Sequence, residues 1–277
     1  MRACIRRFHS LYFVYSIQGQ IFCSVVPHLY YFAAFPLLFC VSVCDFGPSY
    51  KYTGKTVNDF IATGAPVSAK LGLVTLVFVL LTSIPMGILA ALKNGKWQDM
   101  LLMAIATIGV TIPSFVIASM LIYVFSFKLN VLPTFGLDSW KSYILPVIAM
   151  GGYSVSYLAR LMRSSLLEVM GQDYIRTARA KGLTEFAVVT KHALRNALIP
   201  VITVLGPTVA GLLTGSFVVE KIFAIPGIGY YFVNSVTQRD YTTIMGVTIF
   251  FAAFLMAMVL LVDIFYCLID PRIKFDA

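Results

Sequence analysis

Asp173-Tyr-Ile-Arg-Thr-Ala-Arg-Ala-Lys-Gly182 runs on as Leu183-Thr-Glu-Phe-Ala-Val-Val-Thr-Lys-His-Ala-Leu-Arg-Asn-Ala-Leu-Ile-Pro200. This basic stretch separates two runs, 142–159 and 197–219, that contain no Asp, Glu, Lys or Arg. Charged groups are costly in hydrocarbon, so the stretch belongs in water and its neighbours in lipid. Each half carries its own start and stop signals. Asp173 is expected to N-cap a helix over 174–181, its carboxylate accepting from the exposed amides. Arg179 and Lys181 then fall in the last turn, where cations suit the helix dipole. Gly182 supplies the left-handed residue that stops the helix. Thr184 caps a second helix, with Glu185 in its first turn, which runs through Arg195 toward Pro200. The expected shape is two helices hinged at Gly182, with Tyr174, Ile175, Ala178, Phe186 and Val189 as an apolar side.

The surroundings of the hairpin fix the class. Of 277 residues, 59% are hydrophobic and 12% charged, against roughly 25% charged in a soluble domain. A chain this apolar reads as a polytopic, all-α membrane bundle. Crossing a bilayer takes about 20 apolar residues. Segments 71–92, 100–127, 142–159, 197–219 and 241–262 carry no acidic or basic residue. A sixth span is expected over 22–44, within a run less uniformly apolar because of Gln18, Gln20 and His28. Prolines 85, 113, 146, 200 and 207 fall in or at the start of these segments, where neighbouring helices can satisfy the freed carbonyls. Gly211 and Gly215 form a G-x-x-x-G pair, expected to pack helices closely. Asp263, the acidic residue at the end of the 241–262 span, is expected to pair or snorkel at the interface.

Orientation follows from Lys and Arg. With both termini in the cytoplasm, the inner side holds 14 basic residues and the outer side 7 (Lys51, Lys55, Lys70, Lys128, Lys141, Lys221 and Arg239). The net charge of +9 is thus explained by loops at a lipid bilayer, not by nucleic acid. Arg6-Arg7 ahead of an apolar run suggest a secretory signal, but no small-x-small cleavage site follows, so an uncleaved anchor is expected. Glu220 and Lys221 are placed in an outer loop with Pro226-Gly227.

No chemistry-bearing set emerges. Cys4, Cys23, Cys40, Cys44 and Cys267 show no metal-ligand or disulfide spacing. No G-x-x-x-x-G-K-[ST] loop is present, so the chain has no P-loop for ATP. His9, His28 and His192 lack a nucleophile to serve, and Ser216 lacks a histidine in a later helix. Catalytic, cofactor and metal residues are therefore expected to be none. From residues alone the hairpin is open to two readings: a basic loop resting on anionic lipid, or a docking element for a soluble partner.

The hairpin resembles the EAA motif of ATP-binding-cassette importer permeases, in its dipeptide/oligopeptide variant. Arg176-Thr177-Ala178 stands at the Glu-Ala-Ala positions, Gly182 at the motif glycine, and His192-Ala193-Leu194-Arg195 replaces Ile-x-Leu-Pro. Further segments resemble the same branch: Asp45-Phe-Gly-Pro-Ser-Tyr-Lys-Tyr52, Pro66-Val-Ser-Ala-Lys-Leu-Gly72, Arg160-Leu-Met-Arg-Ser-Ser-Leu-Leu-Glu-Val169, Ile225-Pro-Gly-Ile-Gly229, Arg239-Asp-Tyr241 and Ile269-Asp-Pro-Arg-Ile273. The likeness covers 45–277 and is nearest the first permease type of oligopeptide systems. Residues 1–44 depart from it: the family has a first helix ending near an acidic-proline motif and a long outer segment, and an altered start is the expectation here.

What the resemblance implies is a MetI-like transmembrane domain over 45–277 with a coupling loop at about 160–196, in the bacterial inner membrane. It also implies a second homologous permease, two ATP-binding subunits and an extracytoplasmic peptide-binding protein as partners. Asp173, Tyr174, Arg176, Thr177, Ala178, Arg179, Lys181, Gly182, Phe186, His192 and Arg195 are the expected ATPase-coupling residues. Oligopeptides are the expected cargo; permeases for dipeptides, nickel or other small solutes are the alternatives within the family. From a different class, an ion-coupled secondary transporter would show internal repeats and several buried acidic groups, and the sequence shows neither.

Overall fold

Thr56 starts the first long helix for a local reason. Its hydroxyl accepts from the Asp59 amide while the Asp59 carboxylate accepts from the Thr56 amide, a reciprocal capping box. From there α1 runs Val57–Leu92, through Pro66 and Pro85. The computed structural model describes residues 45–269 other than Asp138, with side chains through Leu261. The span expected over 22–44, the five cysteine side chains, that of Asp263 and the landmark beyond Ile269 lie outside the described residues.

Small residues recur along the buried face of α1, at Gly64, Ser68, Gly72, Thr75, Ser83, Gly87 and Ala91, between the larger Phe60, Leu71 and Val79. In lipid, close backbone approach replaces hydrophobic expulsion as the driving force, and small residues permit it. At Gly87 a Cβ would lie 2.6 Å from Met162 Cβ and 2.7 Å from the Ala159 carbonyl. At Gly72 it would lie 2.9 Å from the Leu213 Cα. The two glycines expected to pack helices differ within this chain: a Cβ on Gly211 meets nothing within 4 Å, while Gly215, past the helix end at φ +86°, has Ser68 Cβ of α1 3.3 Å from where its Cβ would lie.

After the loop Lys93–Lys96, α2 covers Trp97–Thr111 and α3 Ser114–Leu121, the latter relaxing into a π-helical turn over Ile122–Lys128. The span expected over 100–127 is bent by 106° between α2 and α3. The cause is Pro113: it forces Ile112 into extended backbone, ψ 125°, and takes up ψ 143° itself. α4 spans Ile144–Met170, with Pro146 in its first turn where its missing amide matters little. α1 packs along α4, and both carry the core through Leu71, Val79, Leu158, Met162 and Leu166.

The hairpin comprises α5, Asp173–Ala180, and α6, Glu185–Ala187, which passes through a π-helical turn (Val188–Ala193) into α7, Leu194–Leu213. The fifth expected span, 197–219, is interrupted at Thr214-Gly215-Ser216, beyond which the short α8, Phe217–Ile222, begins. α9 is Ile228–Gln238 and α10 Tyr241–Ile269. Four helical stretches are long and apolar enough to cross a membrane, and a fifth is obtained if α2 and α3 count as one bent span. No strand ladder occurs among the described residues; Pro48 and Thr56 form an isolated antiparallel bridge. Residues 45–248 pack as one unit, and the helix from Ile249 onward belongs to a second.

Candidate functional site

The hairpin takes its shape from both backbone and packing. α5 begins one residue earlier than expected: Gln172 holds the N-cap position without a side-chain bond, and Asp173 is the first helical residue. Its carboxylate still suits the positive end of the dipole. Arg179 lies in the last turn and Lys181 at the C-cap. Gly182 has φ +78°, the left-handed conformation that turns the chain. Thr184 then accepts from the Ala187 amide at 3.4 Å, starting α6. Across the turn Arg179 donates to Glu185 at 2.8 and 3.3 Å, tying the helices together.

The apolar side divides in two. Ile175, Ala178, Val188, Val189 and Ala193 are buried. Ile175, Ala178, Val188 and Ala193 belong to the same hydrophobic cluster as Met162 and Leu166 of α4 and Ala197 of α7. Tyr174 and Phe186 face outward, Phe186 being 79% exposed. Tyr174 is steadied by Asn196, whose amide donates to its hydroxyl at 2.8 Å. Of the eleven residues expected to form the coupling element, all but Ala178 are exposed. The arrangement is a charged outer face with one prominent aromatic, riding on an inner face continuous with two long helices.

Beside it lies an ion pair that sequence reading missed. Arg163 Nε donates to Asp99 Oδ1 at 2.6 Å and Nη2 to Oδ2 at 2.7 Å; Nη2 also reaches Asn94 Oδ1 at 2.9 Å. The Gly95 amide donates to the same carboxylate at 3.0 Å. Asp99 is 4% exposed, and a charge that buried requires a partner. The available signal was an aspartate in the first turn of an apolar helix and an arginine about two turns before the end of another. Their pairing locks the Lys93–Lys96 loop onto α4 just before the hairpin.

The opposite end of the unit is built differently. Glu220, expected in an outer loop, is fully buried in α8. Its Oε2 accepts from the amides of Gly229 at 2.9 Å and Tyr230 at 3.3 Å, while the hydroxyl of Ser68 accepts from Ile228 at 2.9 Å. A carboxylate thus meets the first turn of α9, where the dipole favours negative charge. Room for it comes from glycine: a Cβ on Gly227 would lie 2.7 Å from the Glu220 Cδ, and one on Gly229 2.9 Å from its Oε2. Lys221 remains exposed and bonds Asn234 while lying over the Tyr230 ring at 4.9 Å.

At the same end Asp240 is buried and accepts from the Ser49 hydroxyl at 2.5 Å, the Tyr50 amide at 3.2 Å and the Thr243 hydroxyl at 2.9 Å. Burial pushes its carboxyl up, but the bonds from Ser49, Thr243 and Tyr50 outweigh that and hold it below the usual range. The segment 45–56 is thereby stapled to the start of α10.

Residues 83–275 match the binding-protein-dependent transport system inner membrane component family. The chain is 47% identical over 252 residues to the dipeptide transport system permease protein DppB of Bacillus subtilis, covering 88% of this chain and 82% of that one. It is 44% identical to the oligopeptide transport system permease protein OppB of Haemophilus influenzae, covering 83% and 76%. A solved structure described as inward-facing conformations of the MetNI methionine ABC transporter shares the fold, with TM-score 0.66 at 18% identity over 77% of this chain and 97% of that one. The chain therefore belongs to the binding-protein-dependent inner-membrane component family: it is a permease subunit of an ABC importer of the peptide type, and not an enzyme.

Proposed function

We propose that the subunit imports oligopeptides and that residues 174–190 dock onto separate ATPase subunits. The observation carrying this is the division of the hairpin between an exposed face bearing Phe186, Tyr174 and Arg176 and a buried face continuous with α4 and α7. A push on the exposed face cannot be absorbed locally, because packed interiors are dense and deform little. It passes through Ile175, Ala178, Val188 and Ala193 into the two long helices. Asp99–Arg163 carries the Lys93–Lys96 loop along with α4. Nucleotide-driven closure of the ATPases shifts the pore between states insofar as it contacts one arrangement better than the other.

In this reading the hairpin and both termini face the cytoplasm, in agreement with the excess of Lys and Arg on that side. A second permease completes the pore, and a binding protein delivers peptide from outside. Dipeptides are the second reading of the cargo, favoured by the 47% identity to a dipeptide permease. Co-purification from membranes tests the docking: the intact chain should bring down two ATPase subunits, and a chain lacking 174–190 should insert without them. Retention of the ATPases by the deleted chain would sink the assignment. Uptake of labelled di-, tri- and pentapeptides by the reconstituted transporter separates the two cargo readings.

A further inference from the structure

Between the hairpin and the ends of α1 and α4 lies a cavity of about 640 Å³, well within the roughly 300–1,000 Å³ of ligand sites. Its wall is of two kinds. Leu92, Leu166, Leu167 and Met170 of the long helices make it apolar, while Lys93 after α1 and Arg179 and Glu185 of the hairpin bring charge. Its depth in the membrane follows from the helices. The uncharged run 71–92 is about 33 Å long as helix, close to the roughly 30 Å of bilayer hydrocarbon, so Lys93 marks the headgroup level. α1 and α4 run in the same direction, Gly151 facing Thr75 and Val79 and Gly87 facing Ala159 and Met162. Leu92 and Leu166 therefore stand at similar depth, and the cavity lies where hydrocarbon gives way to headgroups.

Two cations meet one carboxylate there. Glu185 accepts from Nε and Nη2 of Arg179, and Nη1 bonds nothing among the described residues. Lys93 Nζ likewise has no hydrogen bond or ion pair among the described residues. The loop that carries it is nonetheless fixed, by Arg163 on Asn94 and by the Gly95 amide on Asp99. A surplus cation on a fixed loop, beside an apolar wall at headgroup depth, matches an anionic amphiphile. A soluble phosphate would leave the apolar wall wet, and a zwitterionic lipid would bring a further cation to a site already in excess of positive charge. We propose that this cavity binds an anionic phospholipid from the leaflet on the hairpin's side, its phosphate between Lys93 and Arg179 and an acyl chain along Leu92, Leu166 and Leu167. The lipid bridges the hairpin to the end of α1, while the face bearing Phe186 and Tyr174 stays free for a protein partner. The site is independent of which cargo the subunit imports.

The test uses the subunit purified from membranes with the subunits that accompany it, reconstituted in phosphatidylcholine vesicles containing phosphatidylglycerol with a diazirine in one acyl chain. Irradiation and mass mapping should place the label on 91–93 and 166–171. Phosphatidylcholine carrying the same diazirine should label these residues severalfold less. Lys93→Gln should cut labelling by phosphatidylglycerol about fivefold, the effect of one cation beside anionic lipid, and Lys93→Arg should restore it. Lys96→Gln, in the same loop but outside the cavity, should leave labelling nearly unchanged. Both lysines are exposed, so all three variants should assemble as the parent does.

Equal labelling by the two lipids overturns the proposal. So does an equal loss from Lys93→Gln and Lys96→Gln, which would reduce the effect to diffuse attraction. Displacement of the lipid by inorganic phosphate at matched ionic strength would make the cavity a site for free phosphate instead. Absence of label from 91–93 and 166–171 in the assembled complex overturns it too, and would leave the cavity to a protein partner.

Discussion

The hairpin around Gly182 and the far end around Glu220 both depend on glycine, yet for opposite reasons. Gly182 is forced by conformation: φ is +78° and a Cβ would meet nothing within 4 Å. Gly227 and Gly229 have no positive φ; they are forced by space, because Glu220 and its neighbours fill the place of a side chain. One region shows its polar groups to solvent and hides a thin apolar underside. The other hides a carboxylate and closes glycine around it. An exposed element is free to meet a partner, whereas a buried polar cluster fixes how elements of the same chain meet.

The comparison is sharpest at Glu220. Glu220→Ala strips the acceptor from two amides of α9, each left unpaired at about 1–3 kcal/mol. Thermal unfolding of the purified complex should fall markedly. Glu220→Gln keeps a carbonyl for both amides and should lose much less. Equal losses from the two variants would show that the negative charge, rather than the hydrogen bonds, holds α8 to α9.

Gly182→Val should behave in the opposite sense. The left-handed backbone with a β-branched residue carries strain of about 1–3 kcal/mol, applied to an exposed turn. The protein should insert and retain its unfolding temperature nearly unchanged, while transport is uncoupled or lost. Normal peptide uptake by Gly182→Val would remove the coupling role of the turn.

Asp240 gives the far end a pH dependence of its own. Its folded pKa lies below the ordinary aspartate value of 3.8. Its contribution is therefore complete above that value and disappears as pH falls through the folded pKa. Amide exchange in 45–56 should accelerate under such acid, and Asp240→Asn should remove that pH dependence. An Asp240→Asn chain with an unaltered acid profile would assign the effect to another group.

The smallest effect is expected at Arg179–Glu185. Both side chains are substantially exposed, at 40% and 67%, and exposed pairs contribute about 0–1 kcal/mol. Arg179→Ala should leave unfolding within error of the parent. Any large loss of ATPase binding in that variant then reports a contact with the partner, not a damaged hairpin.

Much of this was open to sequence reasoning, and the exceptions share a cause. Runs without charge located the long helices, because a bilayer penalises each misplaced charge separately. The Gly182 turn and the Thr184 cap were foreseeable, since each depends on residues within three or four positions. The bend at Pro113 was signalled by the proline, but whether neighbours would straighten or exploit it depends on what packs there. Gly64, Ser68, Gly72 and Gly87 lie on one face of α1, and Gly211 and Gly215 are also four apart. Spacing alone does not say which of these small residues has another element in front of it, as Gly72, Gly87 and Gly215 have and Gly211 has not.

Sequence by itself determined the class, the helices and the local turns, because desolvation and backbone preference act residue by residue. Tertiary structure alone decided that Asp99 meets Arg163 across 64 positions and that Ser68 and Glu220 hold the same turn of α9. Such meetings depend on how helices cross, and helix crossing is set by the summed fit of many side chains that no short window contains.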